Sequence, residues 1–84
     1  MIRVFSIECD GESTLKCDLI ADGQQRELIV KVFNDGGLQY MQFMVPDPVE
    51  HRNLSLRPET KSFLRVLWDA YNGKPMEFPI DIVP

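Results

Sequence analysis

Eighty-four residues, 44% hydrophobic and 26% charged, describe one globular domain, because a chain this short buries only about 60% of its unfolded surface and cannot divide that between two cores. Thirteen acids against nine bases leave a net charge of −4, without the surplus of Lys and Arg that binding a nucleic-acid backbone requires. No apolar run approaches the roughly 18 residues needed to cross a bilayer.

Residues 2–9 alternate apolar and polar, which reads as a first strand and not as a signal peptide. On that reading the protein is cytoplasmic and its two cysteines are reduced thiols. Asp10, Gly11, Glu12 and Ser13 turn the chain into a second strand over 15–21. If Phe5, Ile7 and Cys9 face Leu19, Cys17 and Leu15, both strands offer one apolar face to a core. Asp22-Gly23-Gln24-Gln25 turns again into a third strand over 27–33, with Leu28, Val30 and Val32 inward. Asn34-Asp35-Gly36-Gly37 is the strongest hairpin signal, since Asn, Asp and Gly accept the positive φ of primed turns. It leads to a fourth strand over 38–45 with Met41, Phe43 and Val45 inward.

The segment 46–56 is expected as an irregular connection, its prolines excluding helix at its start, with Val49, Leu54 and Leu56 free to pad the core. A single amphipathic helix then runs over 58–72, opened by Pro58 at the first helical position and stopped by Asn72-Gly73. Its apolar arc, Phe63, Leu64, Val66, Leu67, Trp68, Ala70 and Tyr71, spans about 200°, wider than one sheet contact requires. Residues 76–82 form a short edge strand, restricted by Pro79 and placed by preference antiparallel to strand one. The expected fold is therefore α+β: a four-stranded antiparallel meander covered on one face by one helix.

Three groups of residues invite chemistry. Cys9, Cys17 and His51 lack the close cysteine pairs and the fourth ligand of a small zinc site, so both thiols are read as core residues and no metal or cofactor is expected. His51 and Arg52 lie in the connection, at the rim of any pocket between it and the helix. Arg57, Lys61 and Arg65 recur every four residues and read as a solvated helix face.

A fourth group stands out against its surroundings. The sheet face away from the helix is expected to carry Ile2, Val4, Ile20, Ile29, Phe33, Leu38, Tyr40 and Met44, although a solvated antiparallel face should be mostly polar. Phe33, Leu38, Tyr40 and Met44 gather by alternation at the strand 3 to 4 end and are candidate partner-binding residues. Cover by the connection or the C-terminal tail is the competing reading.

The function expected is that of a small non-enzymatic protein acting through protein–protein contact, as an accessory, regulatory or inhibitory module or as a homodimer. The alternative is a small-molecule-binding or enzymatic domain with its pocket between the helix and the 46–56 connection. A third reading, an acidic mimic that occupies a nucleic-acid-binding protein, finds thin support in a charge of −4. Neither nucleic acid nor membrane is expected as a partner.

Overall fold

Two tight turns set the register of the sheet. At Asp22-Gly23 and at Gly36-Gly37 all four residues have φ between +53° and +89°. Such two-residue turns match the right-handed twist of antiparallel strands, and each joins strands that pair without a shift. The computed structural model describes residues 1–84 and contains β1 (Ile2–Cys9), β2 (Thr14–Ala21), β3 (Gln24–Asp35), β4 (Leu38–Phe43), α1 (Pro48–Leu56), α2 (Thr60–Tyr71) and β5 (Ile80–Ile82). The sheet is antiparallel in the order β4-β3-β2-β1-β5 and curls into a half-barrel. It thus has five strands in place of a four-stranded meander, with β5 antiparallel to β1 as preferred but only three residues long where 76–82 was expected. Neither helix is long and apolar enough to cross a membrane.

A second helix occupies the segment expected to be irregular. Asp47 caps it, its Oδ1 accepting the Val49 N–H at 2.9 Å and the Glu50 N–H at 3.4 Å. Pro48 takes the first helical position, where its missing N–H costs nothing. The prolines therefore admit a helix here. Only Leu54 of this helix is buried; Val49 and Leu56 are exposed and do not pad the core. The main helix starts two residues later than the proline suggested, after a turn at Pro58 and Glu59. Thr60 Oγ1 donates to the Leu54 carbonyl, tying the start of α2 to the end of α1.

One face of the sheet carries the core. Leu15, Cys17, Leu19, Leu28, Val30 and Phe43 meet Phe63 and Leu67 of α2 and Leu54 of α1. The Phe43 and Phe63 rings stack at 6.0 Å between centroids. Leu54, from α1, accounts for part of the unusually wide apolar arc of α2.

β1 departs from simple alternation. Ile7 and Cys9 face Cys17 and Leu15 as expected, but Val4, not Phe5, faces Leu19, because the pairing shifts between Val4 and Ser6. Such a bulge sends residues on its two sides to the same face with opposite parity. Ile2 and Val4 are therefore buried in the core, whereas Phe5 is exposed. The two cysteines also part: Cys17 is buried, and Cys9 is exposed at the sheet margin, its Sγ 3.9 Å from the Ala70 carbonyl oxygen.

Leu67 is fully withdrawn from solvent, so Leu67→Ala should lower the unfolding free energy by about 2–5 kcal/mol in a urea titration. A loss below about 0.5 kcal/mol would place Leu67 outside the core.

Candidate functional site

The outer face of the sheet, opposite the helices, is where the candidate partner-binding residues lie. Phe33 and Tyr40 are direct cross-strand neighbours on β3 and β4. Their rings stack with centroids 5.3 Å apart and planes 18° from parallel. Leu38 stands beside them, 68% exposed, and Tyr40 is 44% exposed. Met44 is not part of this group: it pairs with Ile29 past the intervening Lys31 and Gln42, about 13 Å along the strand from Tyr40. Both helices pack on the opposite face, and the C-terminal strand lies at the far edge beside β1. The aromatic pair is consequently left without cover from the rest of the chain.

Phe5 is the outer-face residue that alternation misses. The bulge places it with Ile20, Met1, Arg3, Asp22 and Gly23 around a depression of about 320 Å³. Asp81 holds Arg3 beside it through bonds of 2.6 and 3.3 Å from the guanidinium. Those bonds raise the Arg3 pKa and lower that of Asp81.

β4 is also a free sheet edge. Met44 N–H donates to the Ile29 carbonyl at 2.8 Å. By the alternation of antiparallel ladders, Leu38, Tyr40 and Gln42 therefore bond to β3, while Gln39 and Met41 direct their N–H and C=O groups away from it. Residues 38–42 carry no charge, proline or bulge, the usual devices that blunt an edge. The other edge, β5, has three residues with Asp81 at its centre, between Pro79 and Pro84.

His51 and Arg52, expected at a pocket rim in a loop, sit on α1 and separate. His51 lines two shallow depressions, of about 190 and 350 Å³, where α1 meets the end of β4. The larger also contains Met44, so Met44 and His51 share a site that the sequence divided between two. Arg52 is exposed and lines neither. No group of three His, Cys, Asp or Glu side chains is arranged to hold a metal ion.

Arg57 is not part of a helix stripe. Its Nη1 and Nη2 donate to Asp22 at 2.7 and 2.9 Å, and Nη2 also reaches Glu59 at 3.1 Å. This fork joins the α1–α2 junction to the β2–β3 turn. Hydrogen bonds from Arg57 hold the Asp22 and Glu59 carboxyls below their ordinary range, and those to Asp22 raise the Arg57 pKa. Nearby, Arg26 pairs with Glu50 of α1. These contacts line a polar depression of about 260 Å³ with Gln24 and Asn53. Arg57 is satisfied by the chain's own carboxylates and Arg26 pairs with Glu50 through Nη1, its buried Nε lacking a partner, so the arrangement fastens elements together.

No protein-family model, curated protein or solved structure matches the chain.

Carboxylates with depressed folded pKa values add stability above their unfolded pKa of about 4, and lose it as pH falls through the folded values. Arg57→Met should therefore lower the urea midpoint at pH 7, and the gap from the parent should shrink as pH falls below about 4. A gap independent of pH would show that the fork acts through packing alone. Burial pushes the Cys17 thiol up to about 12. A thiol reagent should accordingly titrate only Cys9 in the native protein and both residues in urea. Equal native reactivity would contradict the burial of Cys17.

Proposed function

We propose that this protein acts by binding protein, through the β3–β4 side of the outer sheet face, and carries out no catalysis of its own. The observation that supports the reading is the stacked pair of half-buried Phe33 and exposed Tyr40, with exposed Leu38, beside an unprotected strand edge. Aromatic side chains are the types enriched at the buried centre of interfaces. An open edge adds backbone donors and acceptors that another strand can satisfy. The ring stack is held by its own cross-strand geometry and requires no partner to form. Little ordering of the face would accompany docking, which leaves more of the contact energy for affinity.

Phe33→Asp is the discriminating substitution. In a complex it would bury a carboxylate without a partner, at a cost of several kcal/mol. In the free protein the residue lies away from the main core, on the outer face. Extracts of the source cell should yield a protein, a further copy of this chain included, that the parent retains on a resin. The variant should hold it at least about tenfold less well while its melting temperature stays within a few degrees. Retention by both alike, or by neither, overturns the reading, as does a variant that loses its fold.

A further inference from the structure

We infer that the partner seated on β4 is a second copy of this chain, paired strand to strand so that the two sheets become one. The inference rests on the proposed protein-binding role of the β3–β4 side and names its occupant. It starts from the unequal edges of the sheet. β5 is short, flanked by prolines and centred on an ion-paired Asp81, and the part of β1 that it leaves unpaired, from Phe5 to Cys9, carries the bulge and Glu8. β4 presents Leu38-Gln39-Tyr40-Met41-Gln42 without a charge or a proline. At its far end the edge stops, since β4 ends at Phe43, and His51 of α1 lines one depression with Met41, Gln42 and Phe43. The open part is thus residues 38–42, with Tyr40 at its centre.

An antiparallel strand laid on this segment about a twofold axis through Tyr40 satisfies the edge. Gln39 and Met41, whose N–H and C=O groups point outward, would face Met41 and Gln39 of the second copy in about four backbone hydrogen bonds. Tyr40 would face the second copy's Tyr40 in the closer, non-hydrogen-bonded type of pair. Each Tyr40 already stacks on its own Phe33, so the two copies would form a continuous row of four rings across the joint. Leu38 would face Gln42 on either side. Parity is preserved: outer-face residues meet outer-face residues and helix-face residues meet helix-face residues. Each chain has a net charge of −4, yet this register brings no like charges opposite one another within the paired strands. A basic partner peptide, by contrast, would find no carboxylate on residues 38–42 to recognise.

The arrangement is isologous, so it stops at two copies. Light scattering on the full chain should give twice 9.7 kDa at high concentration, falling towards the single-chain mass on dilution. Gln39→Pro removes an outward donor without breaking a bond to β3. It should move the midpoint of dissociation at least about tenfold upward, with circular dichroism unchanged, whereas Gln39→Ser should not. In a Cys9→Ser background, mild oxidation should link copies carrying Tyr40→Cys but not copies carrying Gln42→Cys, since only residue 40 meets itself. A parent that remains a single chain at about 1 mM overturns the inference. So does a dimer that survives Gln39→Pro and links through residue 42 as readily as through residue 40. A single-chain parent that still retains another protein through Phe33 would overturn the second copy as occupant and leave the protein-binding role standing. A dimer indifferent to both Phe33→Asp and Gln39→Pro would remove both.

Discussion

Phe63 and Leu67 of α2 are almost wholly withdrawn from water, and the strands are shaped around that burial. A flat sheet would touch only a narrow stripe of a helix whose apolar arc is this wide. The half-barrel surrounds more of it, and the bulge in β1 supports that curvature by adding local bend and twist. The bulge also gives β1 an inward set of Ile2, Val4, Ile7 and Cys9, which no straight strand of that sequence can present. α1 then closes one side with Leu54, leaving its remaining apolar residues in water.

Polar contacts hold the pieces at the joints where the hydrophobic contacts are thin. The joint between the helices is a short turn that offers little apolar surface, and Arg57 spans it by bonding to Glu59 within the turn and to Asp22 across on the sheet. Planar, bidentate geometry makes arginine suited to this work, since one rigid fork fixes both distance and direction. Glu59 is the member that lies nearly out of solvent, so its charge depends most on a retained partner. The Thr60 hydroxyl on the Leu54 carbonyl satisfies a helix end at the same joint. The packing sets which face of the sheet is covered, and these bonds set how the helices lie upon it.

What remains uncovered follows from the same economy of size. A chain of 84 residues has two helices to cover one face of five strands, and the second face has to meet solvent or another molecule. Along its middle that face is mostly polar, with Ser6, Asp18, Glu27, Lys16 and Lys31 around Ile29. Its apolar residues collect towards its margins, Phe5 with Ile20 by β1 and Phe33 with Tyr40 by β4. Both groups stand near unpaired backbone, since β5 covers β1 only as far as Val4. The edge beside Phe5 carries the bulge and Glu8, whereas β4 has neither bulge nor charge over residues 38–42, which is why the functional argument falls there and not at the depression near Phe5.

The hairpins, the inward sets of β2, β3 and β4, and the apolar face of α2 were all legible in the sequence, because turn chemistry and periodicity are local properties of the chain. The Phe33–Tyr40 neighbourhood was legible for the same reason: the glycine turn fixes register, and register fixes which residues sit opposite. α1 was legible in principle, as Asp47, Pro48 and Glu50 make an ordinary helix start, although the prolines read equally well as breaks. The bulge was not. Both parities of β1 contain apolar residues, Ile2 and Val4 on one and Phe5 and Ile7 on the other, and only packing against β2 and the helices selects a change of parity between them. Arg57 was likewise hidden, since its spacing to Lys61 and Arg65 imitates a helix stripe while its partner Asp22 lies 35 residues away. Pairings across that distance, and the openness of β4 as an edge, belong to the assembled sheet, because they depend on which elements come to rest beside one another and not on any pattern within one of them.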